Sequence, residues 1–170
     1  MLAQFTLPIG PFTFSIKTDH QAVIDNLSAL YADYTFSDDS LFIDFPITIT
    51  TRSMLRRFIR PQIDFLFDEF APFKPLPKDQ SFAMLEWGMN WCITTRAHQF
   101  LIFHAGTIEK NGKVIMMPAE QGSGKSTLTA AMVYSGWRLF SDELALISLT
   151  DSLVHPCTRP INLKNDSIGV

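Results

Sequence analysis

Ala119-Glu120-Gln121-Gly122-Ser123-Gly124-Lys125-Ser126 constrains this chain more than any other stretch. A small residue, four others and then Gly-Lys-Ser is the spacing of a loop that wraps a phosphate chain. Gly122 and Gly124 let the backbone bend so that its N–H groups face an anion. Lys125 offers a mobile ammonium to the β- and γ-phosphates. The Ser126 hydroxyl suits a Mg²⁺ ion beside them. The helix expected from Lys125 to Tyr134 presents its positive end to the same anion, and Gly136 is placed to stop it. The structural alternative is a plain glycine-rich turn, but an apolar strand before the motif and a helix after it supply the context that phosphate binding requires.

The surroundings of the motif also limit the fold. Only residues 127 to 170 follow it, too few for the repeated strand–helix units, each of about 30 residues, of a parallel nucleotide-binding sheet. Upstream, Gln99 to Ile108 reads as a largely apolar strand, Asn111-Gly112 as a two-residue hairpin turn, and Val114 to Met117 as the return strand feeding the loop. Hairpins make antiparallel neighbours. The expectation is a mixed α+β chain, with the loop set on a mixed or antiparallel sheet.

Three further groups are candidates for the same site. Asp142 and Glu143 interrupt a strand-like run, Arg138 to Ile147, just after the loop's helix. A carboxylate there can hold Mg²⁺ or accept the proton of an attacking hydroxyl. The competing reading is a turn with two solvated acids. Neighbouring strand residues face opposite sides, so the two acids share a role only if a turn separates them. His104 lies on the strand that the hairpin returns beside the loop, and is either a core residue or a group near the phosphates. Arg159 reads as a surface residue or a phosphate contact, and Cys157 as a buried or half-buried thiol.

Residues 1–75 read as an N-terminal α+β lobe and 76–170 as the core carrying the loop. In the lobe, Phe12, Phe14 and Ile16, then Phe45, Ile47 and Ile49, then Ile63, Phe65 and Phe67 alternate as strands. Pro46 suggests an edge position for the second. A helix from His20 to Tyr31, capped by Asp19, would bury Val23, Leu27, Leu30 and Tyr31. Arg52, Arg56, Arg57 and Arg60 crowd one short stretch, either a docking patch for an acidic partner or phosphate, or a solvated face. Pro72, Pro75 and Pro77 mark the seam. A helix from about Gln80 to Arg96 is apolar nearly all round, which predicts burial of Trp87 and Trp91 against a sheet.

Composition removes other classes. With 46% hydrophobic and 18% charged residues the chain is not disordered. A net charge of -3 argues against a dedicated nucleic-acid binder. Two distant cysteines match no metal spacing or disulfide framework. No apolar run is long enough to cross a bilayer and the N-terminus lacks the pattern of a signal peptide, so the expectation is a cytoplasmic protein without membrane insertion.

Taken together, Phe103-His104-Ala105-Gly106, Gly122 to Ser126, Gly136-Trp137-Arg138-Leu139-Phe140-Ser141-Asp142-Glu143 and Arg159-Pro160-Ile161-Asn162-Leu163-Lys164-Asn165 resemble the catalytic domain of the HPr kinase/phosphorylase superfamily, which shares its nucleotide core with PEP carboxykinases. Phe73 to Pro77, Leu85 to Cys92 and Ser141 to Ile147 look like its HPr-kinase-related kinase A branch, often linked to exosortase and exopolysaccharide clusters. The resemblance implies an enzyme, a Mg²⁺- and ATP-dependent protein serine kinase whose partner is a protein carrying the acceptor serine. By the same resemblance Gly122, Ser123, Gly124, Lys125, Ser126 and Thr127 would bind the triphosphate, and Ser126 the metal. His104 matches the family's active-site histidine, and Asp142 the first of two paired aspartates, tied to the hydroxyl proton and the metal. Glu143 stands at the second, one methylene longer, suited to a water-bridged metal contact. Ala119 replaces the more usual first glycine. The family often assembles into rings, which makes a homo-oligomer an open expectation. It also continues well past Asn165, which implies a fragment lacking the acceptor-binding half. The alternatives are a non-catalytic ATP-binding regulatory module, a phosphoprotein phosphorylase and a small-molecule kinase.

Overall fold

A computed structural model describes residues 2–34, 42–51, 61–120, 122–161 and 163. The described residues form an α+β protein with three α-helices and two five-stranded sheets. Contacts divide the chain into two units, Met1–Pro8 with Phe12–Arg96, and Ile9–Pro11 with Ala97–Val170. The arginine-rich stretch from 52 to 60 lies outside the described residues, as do Gln121, Asn162, Lys164 and Asn165.

In the first unit the strands are β1 (Ala3–Ile9), β2 (Phe12–Thr18), β3 (Phe45–Thr50), β4 (Gln62–Phe67) and β5 (Leu76–Pro77), in that order across the sheet. β2 and β3 run parallel, and β3 and β4 antiparallel. Apolar alternation works as expected in β2 and β3, where Phe14, Ile16, Ile47 and Ile49 are buried, but in β4 Asp64 is buried beside Ile63 and Phe65 while Phe67 is only half-buried. Pro46 departs from expectation, because β3 is a central strand. Pro46 pairs with Ser15 of β2, and on the β4 side its carbonyl accepts from Asp68 N–H at 3.0 Å, so the sheet forgoes only the bond that the missing N–H would have donated.

Helix α1 (Gln21–Leu30) buries Val23 and Leu27, with Tyr31 just beyond it, but leaves Leu30 exposed. Its N-cap is His20, not Asp19, and no side chain caps it. Helix α2 (Ser81–Arg96) packs on β4 at Gly88, where any Cβ would overlap the Phe65 ring. Tyr31 and Glu86 join α1 to α2 through a 2.6 Å hydrogen bond. Trp87 is exposed, in contrast to the all-round burial expected of this helix. It stacks on Phe73 at 4.5 Å between ring centroids, so the proline-rich strap supplies its partner in place of a sheet. The strap and α2 both belong to the first unit, which therefore extends past the seam read near residue 75.

The second unit is built on β6 (Phe100–Lys110). β7 (Lys113–Pro118) flanks it on one side; β8 (Arg138–Ser141) and β9 (Leu144–Ser148) share the other, with β10 (Val154–His155) beyond β9. All its described pairings are antiparallel. The Asn111-Gly112 turn joins β6 to β7 with φ of 53° and 74°, the left-handed pair that such a turn needs. Helix α3 (Lys125–Tyr134) lies on β6. It ends at Gly136, φ 86°, whose N–H and that of Trp137 return to the carbonyls of Val133 and Met132. No helix among the described residues is long and apolar enough to cross a membrane.

Candidate functional site

The loop between β7 and α3 is exposed at Gly122, Ser123 and Gly124. Both glycines have positive φ, 84° and 85°, a conformation that other residues adopt only with strain. Gly124 is the N-cap of α3, and Leu128 N–H bonds back to its carbonyl at 2.9 Å. Ser126 and Thr127 follow in the helix's first turn, half-buried.

Gly106 decides how α3 seats on the sheet. A Cβ there would overlap the Thr129 hydroxyl and lie 3.4 Å from Lys125 Cγ. Thr129 is fully buried and donates to the Lys125 carbonyl at 2.9 Å. The close approach brings the start of the helix down onto β6, where the Lys125 side chain spans to the β8–β9 bend. Lys125 Nζ donates to the Asp142 main-chain carbonyl at 2.6 Å.

That bend holds the acid pair. Thr107 pairs with Ser141 and His104 with Leu144, so Asp142 and Glu143 form the bend between β8 and β9, alongside Ala105 and Gly106 of β6. The Ala105 N–H donates to the Glu143 carbonyl at 3.2 Å. Ser141 Oγ accepts from the N–H groups of Glu143 and Leu144, at 3.2 and 3.0 Å, and so folds the two acids out of the strand. Asp142 is buried, whereas the Glu143 side chain is about half exposed. Glu143 accepts from Arg159 Nη2 at 2.8 Å. Arg159 is itself buried, which replaces the surface role read from sequence.

His104 is exposed on β6, two residues from Gly106 and so on the same side of the pleat. Cys157 is buried beside β8, its N–H donating to Phe140 O at 2.9 Å; burial pushes its thiol up to about 11. Among the described residues no three His, Cys, Asp or Glu side chains gather into a group that could hold a metal. Within the site, Ser126 and Asp142 are the donors that could meet a cation brought in with a phosphate chain.

The architecture thus brings Lys125, Asp142 and Glu143 to one place and puts His104 on the neighbouring strand. Sequence reading quoted Gly106 and Ser141 within motifs without giving them a role, passed over Thr129 and undervalued Arg159. For Gly106 a signal existed, since a lone glycine inside an apolar strand often marks close backbone approach. Arg159 carried none, because its partner is distant in the chain. No family model, curated protein or solved structure matches the chain.

Proposed function

We propose that this chain is a Mg²⁺- and ATP-dependent protein serine kinase domain related to HPr kinase, acting in the cytoplasm on a serine hydroxyl of a partner protein. The 2.6 Å reach of Lys125 to the Asp142 carbonyl carries the reading, because it sets the ammonium of the loop beside a buried carboxylate residue. The residues present fit a nucleotide with its cation. Two left-handed glycines open the loop, a helix N-terminus closes it, and Ser126 and Asp142 offer oxygen to a divalent ion. Bound Mg·ATP would supply the transferable phosphoryl group and screen its charge.

The chain's own residues divide the remaining work. Gly122, Ser123, Gly124 and Thr127 cradle the triphosphate, and Lys125 with the loop amides stabilises the charge that develops on it. Asp142 accepts the proton of the attacking hydroxyl. His104 stands at the site's margin, positioned to meet the acceptor side. A nucleotide-binding regulatory module is the second reading, favoured by the engagement of Glu143 with Arg159 where a second metal-facing acid was expected.

Calorimetric ATP titration, with and without Mg²⁺, tests the first claim. Lys125→Ala should weaken binding by tenfold or more, and unchanged binding refutes the loop assignment. Phosphotransfer to co-expressed proteins, lost in Asp142→Asn, separates the two readings. Tight ATP binding with no transfer selects the regulatory module, and pyrophosphate release from a phosphoprotein and inorganic phosphate would identify a phosphorylase.

A further inference from the structure

We infer that Arg159 and Glu143 form a positioning clamp for the β8–β9 bend, so that Glu143 serves the site by holding Asp142 in place and not by meeting the cation. The inference rests on the nucleotide-site reading above and deepens it. Four attachments among the described residues converge on Asp142 and Glu143. Ser141 Oγ receives the N–H of Glu143, and Ala105 N–H holds its carbonyl. Lys125 Nζ holds the carbonyl of Asp142, and Arg159 Nη2 holds the carboxylate of Glu143. Of these, Lys125 is the one that phosphate binding would draw away. The other three stay in place, and among them the Arg159 bond joins two side chains.

The clamp is anchored on the strand it steadies. Cys157 N–H donates to Phe140 O, and Thr158 Oγ1 donates to the same carbonyl at 3.2 Å. Arg159 follows directly, with 8% of its surface exposed, against 48% for the Glu143 side chain. A guanidinium this buried requires its counter-charge. A divalent ion on the same carboxylate would stand within a few ångströms of Arg159, and the two positive charges would repel in a partly desolvated place. Asp142 and Glu143 therefore divide their duties. The duty toward the phosphates and their cation falls to Asp142, and Glu143 is a positioning residue acting through the backbone of the bend.

The test is a double-mutant cycle on the full chain with Glu143→Gln and Arg159→Met, read by urea unfolding, by phosphotransfer turnover and by ATP titration with and without Mg²⁺. The clamp predicts that each single variant lowers turnover about tenfold, that the double variant is no worse than either, and that the unfolding midpoints show the same non-additivity. The gain in ATP affinity from Mg²⁺ should persist in Glu143→Gln and vanish in Asp142→Asn. Loss of that gain in Glu143→Gln, or additive effects in the cycle, overturns the inference while leaving the nucleotide site standing. A wild-type chain that takes no ATP overturns the nucleotide reading, and the Mg²⁺ duty assigned here falls with it; non-additive unfolding would still separate that failure from failure of the clamp.

Discussion

Replacing Gly106 by Ala probes the contact on which the loop's placement depends. The new methyl group would overlap Thr129 Oγ1, while its distances to Lys125 Cγ and Met117 Cε, both 3.4 Å, are ordinary contacts. Thr129 cannot swing away cheaply, because it is β-branched, fully buried and bonded to the Lys125 carbonyl. Either that hydroxyl loses its bond, which costs about 1–3 kcal/mol for a buried group, or α3 lifts from β6 by roughly an ångström, with an overpacking cost of about 1–3 kcal/mol. Alanine recovers about 0.4–1 kcal/mol by restricting the unfolded chain. The steric term wins, so the net destabilisation should be about 0.5–2 kcal/mol. The lifted helix carries Lys125 with it, and ATP affinity should fall tenfold or more. Urea unfolding and calorimetric ATP titration read the two effects. Adding Thr129→Ala removes the clashing oxygen and should restore part of both losses. A Gly106→Ala chain with wild-type stability and affinity, or a double variant whose losses simply add, would refute the argument.

Gly88→Ala offers a contrasting perturbation. Its methyl group would overlap the Phe65 ring, so the first unit should lose about 1–3 kcal/mol while ATP affinity per folded molecule stays unchanged; equal stability would show that α2 does not press on β4 there. The buried thiols give a pH dependence. Burial pushes Cys92 from 9.0 to about 12 and Cys157 to about 11, so the folded state favours the protonated form. Their contribution is intact below pH 9 and is lost above it by about 1.4 kcal/mol per pH unit for each thiol, until the folded values are reached. Denaturant unfolding at pH 8 and pH 10 should show this fall, shallower in Cys157→Ala, and a flat profile sinks it. Native Cys157 should also resist iodoacetamide at pH 8 and react once the chain is unfolded.

Local patterns carried much of the architecture. The Asn111-Gly112 turn, the span of α3 and its stop at Gly136 follow from residues that interact within a few positions of one another, where turn geometry and helix termination leave little choice. Alternation located β2, β3 and β4 because each has a buried face. The errors fell where distant partners intervene. Pro46 looked like an edge residue until the sheet order put β3 between β2 and β4, and Trp87 looked buried until Phe73 met it from the strap.

The site divides in the same way. Sequence alone determined the loop, the helix that follows it and the existence of an acid pair, since spacing along the chain dictates all three. Only the tertiary structure decided that the acid pair bends out beside Ala105 and Gly106, that Lys125 reaches the Asp142 carbonyl and that Glu143 answers to Arg159. Those facts depend on strand register and on how closely a helix can approach a glycine. Both are properties of chains meeting in space, and neither leaves a periodic mark in the order of residues.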